Sequence, residues 1–189
     1  MTNPVLPTRQ PWTVDEFLNW EDQQPERWEL TERGLWRMMV GAPLGHSILV
    51  GNLWRTLDRQ LRGTECDVHR ETFKLVMDKA VYYPDILVRC GPRDLDSKWT
   101  EAPRLLAEVL SPSTEDRDIG EKKRAFLTIP GLEAYLIVSQ RPQWIELWLP
   151  ANRFLSSQEA RGPGDTLRIA AMDLVLTWDE VFEGVERPS

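Results

Sequence analysis

Residues 104–114 read RLLAEVLSPST, and this stretch decides the fold of the 189-residue chain. After Arg104, residues 105–110 form an apolar run that a single acidic residue, Glu108, interrupts. Such a run is typical of a central β-strand that is buried on both faces. We therefore predict a strand over 104–110 that lies inside a sheet and carries a carboxylate into its interior.

The segments before this strand predict a helix, a β-hairpin and a second, longer helix. Thr13 and Glu16 fit a capping box, which marks the start of a short helix. The string RWELTERGLWRMMV alternates around a turn at 32–34 and predicts a hairpin. Residues 46–62 carry leucines at four-residue spacing, which predicts an amphipathic helix; these are Leu49, Leu53, Leu57 and Leu61.

The other segments predict further strands and one further helix. The helix is expected over 115–129, and an edge-type strand is expected over 144–150. The remaining strands are expected over CDVHRE, TFKLVM, PDILVRC and AYLIVS. Together these elements indicate an α/β (α+β) fold with a mixed sheet and flanking helices. The length predicts one domain over 1–189, with a core over about 12–182.

Composition limits the function classes and the cellular location. The net charge of −7 and the pI of about 5.0 argue against a broad basic surface that coats nucleic acid. An enzyme that acts on nucleic acid stays compatible with them, because a metal site concentrates carboxylates. No apolar run approaches the roughly 20 residues of a membrane helix, and the N-terminus has no signal-peptide pattern. We therefore expect a cytoplasmic protein with no membrane partner.

The cysteines and tryptophans give two further expectations. Cys66 and Cys90 have no CxxC spacing, which predicts two reduced structural thiols. The nine tryptophans are expected in the core or at an oligomer interface. With the edge-type strand over 144–150, they favour self-association, and we predict a homodimer because two-fold pairing is the commonest assembly.

Two acidic residues stand in strands that are otherwise apolar. Asp85 opens the strand PDILVRC, and Glu108 interrupts RLLAEVL. A buried carboxylate needs a partner, because its desolvation is costly. Two strand-borne carboxylates can hold Mg²⁺, which keeps several of its waters. A salt bridge to an arginine, or an exposed edge position, would explain the same two residues without a metal.

The strings RWELTERG, PDILV, AEVLSPST, DIGEKKRAF and EAYLIV carry a family resemblance. With them the chain resembles the Uma2 family (DUF820), which belongs to the PD-(D/E)xK nuclease-like superfamily. The resemblance runs from about Trp12 to Phe182, and the SPST string after the glutamate strand is its most specific part. It implies a restriction-endonuclease-like fold.

The resemblance also implies roles for particular residues. Asp85 and Glu108 match the motif acids of the superfamily and would hold the metal. The superfamily's lysine usually stands two residues after that glutamate, where this chain has Leu110. In Uma2-like sequences the next helix supplies the lysine instead, and Lys122 matches it as the third catalytic residue. Glu29 matches the glutamate of the early hairpin and is expected to be a further metal ligand.

Two of these positions also have plainer interpretations. Lys122 stands in a run of charged residues, which a solvated helix face or an ion pair with Asp118 would explain. His46 lies where the family often has histidine. Because Leu44 and Gly45 mark a helix start, we expect it to be a cap or a polar surface residue rather than a ligand.

The sequence therefore supports two functional hypotheses. The first is a Mg²⁺-dependent (or Mn²⁺-dependent) endonuclease that hydrolyses phosphodiester bonds, with DNA as the expected partner. The second is a nuclease-fold protein with weak or no catalysis that acts as a nucleic-acid-binding or protein-interaction module. The absence of the lysine at Leu110 and the acidic pI are the grounds for the second hypothesis, and we favour the first.

Overall fold

A computed structural model of the chain describes residues 12–38, 41–111, 118–151 and 154–185. The chain divides into two compact units. The smaller unit contains the described residues 12–38 and 76–82, and the larger unit contains the others. The single domain over 1–189 stays a prediction.

The described residues form both helices and strands, which confirms the α+β class. The α-helices are α1 (Val14–Glu21), α2 (Leu44–Leu61), α3 (Lys123–Phe126) and α4 (Trp178–Val181). A π-helical turn (Asp118–Lys122) precedes α3, and a 3-10 turn covers Ala170–Met172. The strands are β1 (Trp28–Thr31), β2 (Gly34–Arg37), β3 (Cys66–Arg70), β4 (Lys74–Val76), β5 (Val81–Tyr82), β6 (Ile86–Cys90), β7 (Trp99–Thr100), β8 (Pro103–Val109), β9 (Ala134–Gln140), β10 (Gln143–Ala151), β11 (Phe154–Ala160), β12 (Thr166–Ile169) and β13 (Leu174–Thr177).

The smaller unit combines α1 with a β-hairpin. The side chain of Thr13 accepts a hydrogen bond from the Glu16 N–H, and Glu16 accepts one from the Thr13 N–H, which confirms the predicted capping box. Strands β1 and β2 pair antiparallel as predicted, and Leu30 of β1 pairs with Val81 of β5. An apolar cluster that includes Phe17 and Trp28 holds these elements together.

The larger unit is built around a six-stranded sheet with the order β11-β10-β9-β8-β6-β3. Strand β8 lies inside it, antiparallel to β6 and parallel to β9, and nearly all of its residues are buried. The predicted central strand over 104–110 is therefore confirmed. The strand is apolar on both faces because both faces are covered by other parts of the fold.

Helix α2 packs on this sheet through the predicted stripe. Leu49, Leu53 and Leu57 are completely buried, and Leu61 is nearly so. These side chains share one apolar cluster with residues of β6, β8, β9 and β10. Burial of each leucine contributes roughly 1.5–3 kcal/mol, so α2 and its first turn are held firmly against the sheet.

The prediction of an edge strand over 144–150 is wrong. Strand β10 pairs with β9 on one side and with β11 on the other. Sequence reasoning missed β11 because 154–160, FLSSQEA, is largely polar and small. The homodimer therefore rests on the tryptophan content alone and stays a prediction.

The expectation of two reduced thiols is also wrong. Cys66 and Cys90 form a disulfide between β3 and β6. The antiparallel register pairs these two residues directly and places their Cα atoms 3.9 Å apart. Their sequence separation of 24 residues gave no sign of this pairing, because only the strand register brings them together.

Helix α2 is the longest helix in the described part of the chain, and its charged and polar side chains prevent it from serving as a transmembrane span. No other helix in the described ranges is long and apolar enough to cross a membrane either.

Candidate metal centre and active site

Asp85 lies immediately before β6, at the end of the sheet. The register pairs Ile86 with Ala107, so one step further along it places Asp85 opposite Glu108. The Val109 N–H donates a hydrogen bond of 2.7 Å to Asp85 Oδ2. A hydrogen bond to an ionised acceptor is among the stronger ones, and it fixes the direction of this carboxylate.

Two further side chains converge on Asp85. His46, in the first turn of α2, has its Nε2 3.3 Å from Asp85 Oδ2. Glu71 follows β3, and its N–H donates a hydrogen bond of 3.3 Å to the Asp85 carbonyl oxygen. One ligand atom each from His46, Glu71 and Asp85 lie within 4.8 Å of one another. We call these three residues the Asp85 group.

The Asp85 group has unusual electrostatics and backbone geometry. Burial lowers the pKa of His46, but the hydrogen bond to Asp85 and the charges of Asp85 and Glu71 outweigh it, so the pKa lies above the usual 6.5. Glu71 has a φ of 45°. A non-glycine residue in the left-handed region costs about 1–3 kcal/mol, and such strain clusters at functional sites.

The donor atoms of the Asp85 group fit a divalent cation. Carboxylate oxygens are the ligands that Mg²⁺ and Mn²⁺ take in proteins, and an imidazole nitrogen suits transition metals. Asp85 and Glu71 would supply oxygen ligands. His46 would supply a nitrogen ligand or orient Asp85.

Glu108 and Lys122 form a buried ion pair beside this group. Lys122 Nζ donates a hydrogen bond of 2.7 Å to Glu108 Oε1, and both side chains are at most 4% exposed. Lys122 is the last residue of the π-helical turn that precedes α3. The interpretation of Lys122 as part of a solvated helix face is therefore wrong. The Asp118 side chain lies outside the described residues.

The model of the Uma2 family, described as "Putative restriction endonuclease", matches residues 14–179, which is most of the chain. The chain belongs to the Uma2 family. The family resemblance carried by the PDILV and AEVLSPST strings is thus confirmed.

Two relatives of this Uma2 protein come from Synechocystis sp. (strain ATCC 27184 / PCC 6803 / Kazusa). The one named "Uncharacterized protein slr1290" is 31% identical over 182 residues, which cover 90% of this chain and 91% of the relative. The one named "Uncharacterized protein sll1609" is 30% identical over 141 residues, which cover 72% of this chain and 79% of the relative.

A solved structure has a similar fold. It is the crystal structure of a protein described as "a putative nuclease belonging to DUF820" from Anabaena variabilis ATCC 29413. The TM-score is 0.76 at 17% sequence identity, and the match covers 93% of this chain and all of that one. The similarity confirms the restriction-endonuclease-like fold.

Sequence reasoning anticipated part of this candidate site and missed part of it. It singled out Asp85, Glu108 and Lys122, and the structure brings the last two into contact. It missed Glu71, which only the β3–β6 register places beside Asp85. His46 is neither a cap nor a surface residue, because Pro43 is the N-cap of α2 and the imidazole is buried against Asp85.

Glu29 is the remaining predicted ligand. It lies on β1 of the smaller unit and is completely buried. Its role as a metal ligand stays a prediction.

Proposed function

We propose that this Uma2 protein is a divalent-metal-dependent nuclease that hydrolyses phosphodiester bonds in DNA, with Mg²⁺ or Mn²⁺ as the cation. The observation that carries the proposal is that the Asp85 group lies next to the Glu108–Lys122 ion pair. The two are neighbours because the strand register sets Asp85 opposite Glu108. A cation held by carboxylates and an ammonium group near the phosphate both promote the attack of water on a phosphodiester.

Each component has a distinct role. Asp85, fixed by the Val109 N–H, would hold the cation together with Glu71. Glu108, which the register sets opposite Asp85, would complete the carboxylate set. When bound, the cation would act as a Lewis acid on the scissile phosphate. Lys122 would place its ammonium group so that it neutralises the charge that develops on the phosphate or orients the attacking water.

A second candidate function has an observation of its own. Leu110 occupies the place of the usual catalytic lysine and is buried, and the Lys122 ammonium is already bonded to Glu108. If Lys122 serves only to neutralise Glu108, the protein would bind nucleic acid or another protein without catalysing hydrolysis. This candidate predicts no metal-dependent cleavage of any nucleic acid.

A cleavage assay separates the two candidates. Single-stranded and duplex DNA and RNA are incubated with the protein and Mg²⁺, Mn²⁺ or a chelator. We expect cleavage of DNA with either cation and none with the chelator. Asp85→Asn should slow cleavage by about 100-fold or more, since even residues that only orient metal ligands cost 10–100-fold.

The matched control is Asp58→Asn, which changes an aspartate of α2 that pairs with Arg62 away from the site. It should cleave at the wild-type rate, and thermal unfolding should show both variants folded. Cleavage that Asp85→Asn leaves unchanged would overturn the proposed function.

A further inference from the structure

A cleft of about 520 Å³ lies between α2 and the end of β3. Glu71, a member of the Asp85 group, lines it together with Trp54 and Arg70. Arg70 is the last residue of β3 and pairs with Ile86, the residue that follows Asp85. The cleft therefore opens directly beside the candidate metal centre.

Trp54 forms a fixed wall of this cleft. Its indole Nε1 donates a hydrogen bond of 3.1 Å to the Val68 carbonyl oxygen, and the ring is half-buried. The guanidinium carbon of Arg70 lies 4.8 Å from the centre of the Trp54 ring. At this distance a guanidinium is attracted to an aromatic face, which favours this position of the Arg70 side chain.

Arg70 differs from neighbouring arginines in its charge partners. Arg55, Arg59 and Arg62 on α2 each pair with a carboxylate. In the described part of the chain Arg70 forms no ion pair, although the adjacent residue is Glu71 and the protein carries an excess of carboxylates. Its planar donors thus stay available for an oxyanion.

We propose that Arg70, held by Trp54, binds a backbone phosphate of the nucleic-acid substrate next to the scissile one. The proposal rests on the proposed function, because it places a substrate strand at the Asp85 group. A protein with a net charge of −7 needs local cations to bind a polyanion. Arg70 supplies such a cation at the edge of a carboxylate cluster that would otherwise repel the nucleic-acid strand.

The test is the salt dependence of binding to uncleaved nucleic acid. The full chain with Asp85→Asn is titrated by fluorescence anisotropy with labelled single-stranded and duplex DNA over a range of salt concentrations. Each phosphate contact contributes about 0.9 to the slope of log affinity against log salt for duplex DNA, and about 0.7 for single strands. Adding Arg70→Gln should lower the magnitude of the slope by the contribution of one phosphate contact. Whether this decrease is seen with single-stranded or with duplex DNA identifies the form of the substrate.

Arg62→Gln is the matched control, since it removes an exposed arginine that already has a carboxylate partner. It should leave the slope unchanged. Trp54→Leu should weaken binding when Arg70 is present and have no further effect together with Arg70→Gln, because the ring acts through the guanidinium. Thermal unfolding shows whether each variant is folded.

The outcomes separate this proposal from the proposed function. An unchanged slope in folded Arg70→Gln overturns the role of Arg70, even if the wild type cleaves DNA. A lowered slope supports that role even if the wild type proves unable to cleave. Absence of any salt-dependent binding overturns the role of Arg70.

Discussion

Asp85 and Glu108 are opposite each other in the β-sheet register, yet their surroundings differ. The Asp85 side chain keeps 16% of its surface exposed, and it contacts a backbone N–H and a histidine. The Glu108 side chain is 3% exposed and pairs with a lysine. A cation from solvent can therefore reach Asp85 directly, whereas Glu108 has the buried Lys122 ammonium as its charge partner.

The largest expected effect concerns Glu108, whose charge Lys122 compensates. Lys122→Met should lower the free energy of unfolding by about 3 to 5 kcal/mol, because it leaves a buried carboxylate without its cation. Urea unfolding measures this loss. Lys123→Met, one residue further along, removes a partly exposed ion pair with Glu146 and a cation–π contact with Trp148, and it should cost only about 1–2 kcal/mol.

A double variant tests whether the loss in Lys122→Met comes from the unpaired charge of Glu108. Glu108→Leu combined with Lys122→Met removes both charges and should recover most of the stability lost by Lys122→Met alone. If Lys122→Met is as stable as the wild type, Glu108 does not depend on Lys122 for its charge balance, and the contrast with Asp85 fails.

The next effect concerns metal binding by the Asp85 group. Glu71→Gln should weaken Mn²⁺ binding by roughly 10–100-fold, because it removes one carboxylate of the Asp85 group. It should change stability little, since Glu71 is exposed. Calorimetry measures the affinity. Glu65→Gln, an exposed glutamate just before β3, should bind Mn²⁺ as the wild type does; equal affinity in both variants would exclude Glu71 as a ligand.

The smallest effect is a pH dependence. The pKa of His46 lies above 6.5 and that of His69 below it, since burial lowers both but only His46 has Asp85 against its ring. The stability that protonated His46 contributes is complete below pH 6.5 and is lost as the pH rises through its folded pKa. NMR titration should show His46 titrating above His69, and Asp85→Asn should lower the pKa of His46. An identical His46 pKa in that variant would show that Asp85 does not control it.

Sequence patterns within a single segment were enough to predict some of the helices and strands. The four-residue leucine spacing predicted α2, and the apolar run predicted β8. The polar strand β11 carries no such signal, so the sequence predicts an edge strand where β10 in fact has a neighbour on each side. The Cys66–Cys90 disulfide depends on which strands are neighbours, which local sequence does not specify.

The same distinction applies to the candidate site. Asp85 and Glu108 were recognisable because an acidic residue in an apolar strand is costly without a partner. Glu71 gave no signal, since an acidic residue after a strand is ordinary and only the β3–β6 register brings it to Asp85. Lys122 was recognised from the family resemblance, whereas its burial followed only from the packing of the π-helical turn.

The most direct test of a metal centre at Asp85 is calorimetric titration of Mn²⁺ into the wild type, Asp85→Asn and the control Asp58→Asn. We predict saturable binding by the wild type and by Asp58→Asn, and loss of binding in Asp85→Asn. Binding that Asp85→Asn retains at wild-type affinity, or no binding by the wild type, would contradict a metal centre at Asp85.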